Sequence, residues 1–202
     1  MYSKIQYISS GITVDQQLEH ITAVLQRGIG WVQLRFKHGD SSSVLELAKK
    51  VKLLQNSYSF TFIINDHIDI ACEVDADGVH LGLHDDKIAT ARRKLGNKII
   101  GGTANTITDI IQRMDEGCDY IGAGPLRFTR SKENLSPILG FEGYRKIFSH
   151  LADVQAPPIY AIGGVTFDDI PILSTIGVHG VAMSNALECN TSFNSYIENH
   201  LS

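Results

Sequence analysis

A single closed barrel of eight parallel strands, each followed by a helix, is the fold this sequence predicts, and three observations predict it. Short apolar runs alternate with longer amphipathic ones along the whole chain, about eight times over. No composition shift and no Ser/Pro-rich linker breaks the alternation, so residues 1–202 read as one domain. Glycines and polar residues recur just past the carboxyl ends of the apolar runs, where a (β/α)8, or TIM, barrel keeps its working groups. At 202 residues such a barrel is a compact one. A doubly wound open sheet is the alternative if one element is miscounted.

Taken in order, residues 5–9 form the first strand and 14–26 a helix, with Leu18, Ile21, Val24 and Leu25 at helical spacing. Gly28-Ile29-Gly30 ends that helix, and residues 31–35 make the second strand. A helix over 42–55 buries Val44, Leu45, Leu47, Ala48 and Val51. Strand three (60–65), a short helix (69–74), strand four (78–81) and a helix (87–95) follow. The last carries Arg92, Arg93 and Lys94 in its final turns, where cations suit the dipole. Strand five (98–101), helix 106–116, strand six (119–122) and helix 141–151 come next. Strand seven (158–162), helix 168–175, strand eight (178–183) and a helix over 192–200 complete the series.

Bulk properties exclude several classes of function. The net charge of −4 comes from interleaved acids and bases, so there is no basic footprint for nucleic acid and no polybasic patch for a membrane. Cys72, Cys118 and Cys189 form no Cys-x-x-Cys pair and read as small buried hydrophobes. The first residues carry no apolar leader and no run approaches the ~18 apolar residues that span a bilayer, which reads as a cytoplasmic protein. The pattern leaves room for a homo-oligomer.

The polar residues gather at strand ends. Gln33, Arg35 and Lys37 alternate at the end of strand two, so a period of two puts all three on one side, converging on the mouth. Strand three ends in Asn65-Asp66-His67, and strand four runs into Gly82-Leu83-His84-Asp85-Asp86, so Asp66 and Asp85 stand at neighbouring strand ends. Two carboxylates beside a phosphate site suit Mg²⁺. General acid/base work by the pair and capping of the following helices are the alternatives. His80 and His84, four apart on a strand-to-loop segment, do not share a helix face and disfavour zinc. His38, His67 and His179 read as lone structural or solvated histidines.

Strand five ends in Gly101-Gly102-Thr103, offering backbone room and a hydroxyl. Strand six ends in Gly122-Ala123-Gly124-Pro125 and opens into Leu126-Arg127-Phe128-Thr129-Arg130-Ser131-Lys132, hydroxyls flanked by cations on a long connection whose length predicts a lid. Gly163-Gly164 after strand seven and Ser184-Asn185 after strand eight match the phosphate site usual in such barrels. The groups divide in two. Arg35, Lys37, Lys132 and a metal on Asp66 and Asp85 are cationic enough for a diphosphate. Thr129, Ser131, Gly164, Ser184 and Asn185 are neutral and donor-rich, suiting a single phosphate. Two anionic small-molecule substrates are implied.

The ordered set Q-L-R-F-K, I-N-D, A-D-G-V-H-L-G-x-x-D, D-Y-I-G-A-G-P, T-R-S-K, P-I-L-G, A-I-G-G-V and G-V-x-G-V-A resembles the thiamine-phosphate synthase (thiamine-phosphate pyrophosphorylase) family over most of the chain. The resemblance implies a Mg²⁺-dependent transferase that joins hydroxymethylpyrimidine diphosphate to a thiazole phosphate, releasing pyrophosphate. It places Gln33, Arg35, Lys37, Asn65, Thr103 and Lys132 around the pyrimidine diphosphate and Mg²⁺ on Asp66 and Asp85. Thr129, Ser131, Gly164 and the Ser184/Asn185 turn fall around the thiazole phosphate, and catalysis to Arg35, Lys37, Thr103 and Lys132. Leu83, His67, Thr103, Asn105 and Ser131 depart from residues usual in the family, where glutamine, arginine, serine, histidine and threonine stand. The rivals are the related thiazole tautomerase branch, which lacks the metal aspartates, and a barrel that binds thiamine precursors without turnover. A phosphosugar isomerase or decarboxylase lacks support from an inward lysine or glutamate.

Overall fold

Eight short parallel strands close on themselves in chain order in the computed structural model, which describes residues 2–128 and 137–189. They are β1 (Ile5–Ile8), β2 (Trp31–Leu34), β3 (Thr61–Asn65), β4 (Gly78–Leu81), β5 (Ile99–Ala104), β6 (Tyr120–Ala123), β7 (Ile159–Ala161) and β8 (Gly180–Met183). The closing seam pairs Ile5 with Val181, Gln6 with Ala182 and Tyr7 with Met183. That seam rules out the open sheet. Around it run α1 (Val14–Gln26), α2 (Ser41–Leu54), α3 (Ile68–Glu73), α4 (Ile88–Leu95), α5 (Ile107–Asp115), α6 (Gly140–His150), α7 (Ile170–Ile176) and α8 (Asn185–Cys189).

Alternation along each strand builds two cores. Outward residues such as Val32, Leu34, Phe62, Ile64, Val79, Leu81 and Ile100 pack under the helices against Ile21, Val24, Val44, Leu47 and Val51. Each such side chain, fully buried, contributes roughly 1.5–3 kcal/mol. Helix starts are fixed locally: Asp40 accepts from the Ser43 amide at the head of α2, and Thr106 and Asp109 form a capping box on α5. At the tail of α4, Arg92 donates to the carbonyls of Gly96 and Lys98 and pairs with Asp119.

The second core plugs the barrel from within. Trp31, Ile63, Tyr120 and Tyr160 are buried together, with Trp31 and Tyr120 ring centroids 5.2 Å apart and Tyr120 and Tyr160 5.7 Å apart, edge to face. Glycine makes room for these rings. A Cβ at Gly101 would lie 2.2 Å from Tyr120 Cζ, and one at Gly180 2.8 Å from Tyr160 Cε1.

Several expectations need correction. Strand five runs three residues past 101, to Ala104, because pairing with Leu81 on one side and Gly122 and Ala123 on the other overrides the weak strand preference of Gly-Gly. The helix expected over 168–175 splits into a 3-10 turn, Phe167–Asp169, and α7, which begins where Pro171 can occupy the first turn. After β8 the chain turns at once into α8, where only a turn was expected. The helix expected over 192–200 lies outside the described residues. Cys72 is exposed rather than buried, whereas Cys118 is buried. Among the described residues no helix is long and apolar enough to cross a membrane.

Candidate active site

Directly above the aromatic plug the inward positions turn polar. Gln6 Nε2 donates to the Tyr120 hydroxyl (3.2 Å), which also bonds His80 Nδ1 (3.0 Å), and His80 Nε2 meets Thr103 Oγ1 at 2.9 Å. Beside them Gln33 Nε2 donates to Asn65 Oδ1 (3.0 Å). Buried polar groups are costly unless hydrogen-bonded, so this layer is fixed in orientation by its own partners. It forms the floor of a cavity of about 720 Å³ at the carboxyl ends of the strands. Of the residues predicted from sequence, Gln33, Arg35, Lys37, Asn65, Thr103, Gly164, Ser184 and Asn185 all line that cavity.

One flank is charged. Arg35 is half-buried; burial pulls its guanidinium below its ordinary basicity while Asp66 and Asp85 counteract that. Asp66 and Asp85, predicted with these residues, are not among those lining the cavity; they follow Asn65 and the end of β4, with their carboxyls within hydrogen-bonding reach of each other. Burial, then the hydrogen bond and charge of Asp85, push the Asp66 carboxyl well above the usual carboxylate range, with Arg35 partly offsetting them. Asp66 adopts a left-handed conformation (φ 65°), its amide donating to the His80 carbonyl at 2.9 Å. Such backbone costs on the order of 1–3 kcal/mol and gathers at functional sites. Neither aspartate heads the following helix: the N-cap residues are His67 for α3 and Lys87 for α4. Asp85 instead accepts from the Gly82 amide (2.6 Å).

Beneath this flank lies a residue that sequence reasoning missed. Arg113 of α5, 3% exposed, donates to the carbonyls of Thr103 (3.1 Å) and Gly82 (2.8 Å), tying the ends of β5 and β4 together. The Gly101-Gly102 pair therefore serves the protein, not a ligand. Gly101 admits the Tyr120 ring, and a Cβ at Gly102 would lie 2.7 Å from Arg113 Cδ. His80, weighed from the sequence only with His84 as a disfavoured zinc pair, is the centre of the floor, and Asn105 joins the ends of β5 and β6 by donating to the Gly124 carbonyl (2.5 Å). The inward register of β4 and β5 held the signal for both residues.

The other flank is neutral. Gly163 and Gly164 both have positive φ (81° and 70°), and a Cβ at Gly163 would lie 2.6 Å from Pro125 Cβ. Ser184 and Asn185 lead into α8, whose Glu188 accepts from Tyr7 (2.5 Å) and Ser10 (2.8 Å), fastening it to the end of β1. Arg127, one of the cations of the long connection after β6 and assigned no role from the sequence, is bonded to Asp169. Thr129, Ser131 and Lys132, like most of the expected lid, lie outside the described residues.

Fold and mouth together define the class: a (β/α)8 barrel with a polar cavity at the strand ends where this fold places active sites. The family model described as thiamine monophosphate synthase matches residues 6–187. A thiamine-phosphate synthase from Flavobacterium psychrophilum is 48% identical over 93% of this chain and 92% of its own. One from Flavobacterium johnsoniae is 49% identical over 93% and 89%. A solved thiamine phosphate pyrophosphorylase from Pyrococcus furiosus superposes with a TM-score of 0.81 at 29% identity, covering 96% of this chain and 92% of that one. The chain belongs to the thiamine monophosphate synthase family.

Proposed function

We propose that this protein transfers the hydroxymethylpyrimidine group from its diphosphate to the ring nitrogen of hydroxyethylthiazole phosphate, giving thiamine phosphate and pyrophosphate with Mg²⁺ as cofactor. Beyond family membership, the observation that carries the reading is the pairing of Asp66 with Asp85 next to half-buried Arg35. Two carboxyl groups this close discourage each other's ionisation, and a divalent cation between them removes the conflict. Their hard oxygen donors suit Mg²⁺, which keeps several waters and shares itself with substrate phosphates. The residues fit the ion, and Asp66 and Asp85 would hold it. When bound, it would neutralise charge on the departing diphosphate.

The remaining work falls to the chain's own groups. Arg35 and Lys37, both on the cavity wall, bring positive charge to the leaving group. The Gln33–Asn65 amide pair offers donors and acceptors to a pyrimidine ring, and the His80–Tyr120 bond orients the Thr103 hydroxyl on the floor. The neutral flank, with Gly164, Ser184 and Asn185, receives the thiazole phosphate; the family resemblance assigns Thr129 and Ser131 to that phosphate and Lys132 to the pyrimidine diphosphate. In the reaction the carbon–oxygen bond to diphosphate breaks and a carbon–nitrogen bond to the thiazole forms. The attacking nitrogen carries no proton, so the step needs no general base. Holding the two substrates in line supplies much of the remaining acceleration.

The test is product formation from the two substrates with and without Mg²⁺, beside Asp85→Ala. Magnesium-dependent thiamine phosphate, lost in the variant, is expected. A folded protein that binds the thiazole phosphate without making product would point to a precursor-binding barrel. Isomerisation of the thiazole alone would point to a tautomerase.

A further inference from the structure

The loop after β6 and the turn after β7 are tied by one residue. Arg127 NH1 and NH2 grip Asp169 Oδ2 and Oδ1, each at 2.5 Å, and NH1 also donates to the Gly164 carbonyl (3.0 Å). Its backbone amide donates to the Gly163 carbonyl (3.0 Å), and its guanidinium lies 5.6 Å from the centre of the Phe141 ring. Asp169 is 4% exposed and receives the Thr166 amide (2.8 Å) as well. Burial alone would raise its carboxyl, but these hydrogen bonds hold it below its ordinary value. The Asp169 end is buried while the Arg127 side chain is 45% exposed, and the bidentate geometry makes such a pair more specific than an ordinary surface pair.

Peptide planarity turns these bonds into an aiming device. In a trans peptide the carbonyl of one residue and the N–H of the next point in opposite directions within one plane. The Arg127 backbone amide holds the Gly163 carbonyl, which fixes the Gly164 N–H, and the Arg127 guanidinium holds the Gly164 carbonyl, which fixes the Val165 N–H. Gly163, Gly164 and Val165 line the cavity while Arg127 does not. Drawing two successive carbonyls toward Arg127 therefore directs two successive N–H groups toward the cavity.

We infer that the Arg127 and Asp169 side chains form a positioning pair that orients the Val165 amide, completing a turn in which the Arg127 backbone already fixes the Gly164 amide, and thereby sets affinity for the monophosphate substrate without touching the chemical step. This rests on the reading that the thiazole phosphate binds at the neutral flank. The test is steady-state kinetics of the full chain with each substrate varied in turn, for Arg127→Met, Arg127→Lys, Asp169→Asn and Gly164→Ala. Arg127→Met is expected to raise KM for the thiazole phosphate about tenfold or more, with kcat and the pyrimidine-diphosphate KM within about twofold of wild type. Arg127→Lys, which keeps the charge but not the fork, should recover part of that loss even if the methionine variant folds poorly. Equal rises in both KM values would overturn the inference. So would a lower melting temperature with the thiazole-phosphate KM unmoved, provided Gly164→Ala raises it. If Gly164→Ala also leaves that KM unchanged, the phosphate does not bind at this turn, and the flank assignment falls together with the inference.

Discussion

On the side of the mouth built by β2, β3 and β4, half-buried Arg35 stands with two carboxyl groups in reach; on the side built by β6, β7 and β8, the wall is glycine backbone with Ser184 and Asn185. Both sides rest on one floor and open to one cavity. On the function proposed above, the difference teaches that a single barrel would meet two anions by separate physics: net charge and a cation on one side, aimed neutral dipoles on the other. It also explains how two phosphorylated substrates can be sorted to their own places, since the diphosphate has more to gain on the charged side.

The contrast can be broken at its strongest point. Chelating divalent ions is expected to lower turnover by on the order of 10³-fold, with Mg²⁺ add-back restoring it, while binding of the thiazole phosphate, followed by calorimetry, stays within about twofold. Undiminished turnover in chelator would remove the metal from the charged flank. Next in size, Arg35→Gln should cost roughly 10²-fold in kcat/KM for the pyrimidine diphosphate and far less when the thiazole phosphate is varied.

The shared floor gives a control. Gly101→Ala drives a methyl into the Tyr120 ring and should destabilise the fold by roughly 1–3 kcal/mol in denaturant unfolding, weakening both flanks alike. A loss confined to one substrate would mean that the floor is not common to them. Smallest of all, raising salt from about 0.05 to 0.5 M should raise KM for the diphosphate substrate several-fold and that for the monophosphate much less, because screening weakens charge more than short-range hydrogen bonds.

The charged flank was the more legible of the two in the sequence, for a physical reason. Gln33 lies in β2 and Arg35 and Lys37 follow just past its end, and the period of two read from the sequence matches all three lining the cavity. Asp66 and Asp85 needed only adjacent strand ends. Arg127 could not be read this way, because its partner Asp169 lies 42 residues on and nothing local distinguishes a structural arginine from a ligand-facing one. The same holds for Gly101 and Gly102, whose missing side chains are matched to Tyr120 and Arg113 on neighbouring elements. α1 and β4 were legible to the residue, whereas the end of β5 was decided by its neighbours and not by its own composition.

Trp31 is the chain's single tryptophan, and it sits in the plug beneath the floor with its indole N–H lacking a hydrogen-bond partner among the described residues. Tyr2, Tyr120 and Tyr160 surround it, their ring centroids 5.0 to 5.6 Å from its own. The protein therefore carries one well-placed fluorophore in a dry setting, fed by excitation passed from adjacent phenols. Its emission should lie at the blue end of the tryptophan range and shift red only when the barrel interior opens. Because Tyr120 touches both this ring and His80, the intensity of that emission should also register occupation of the mouth, giving a label-free optical readout of ligand arrival.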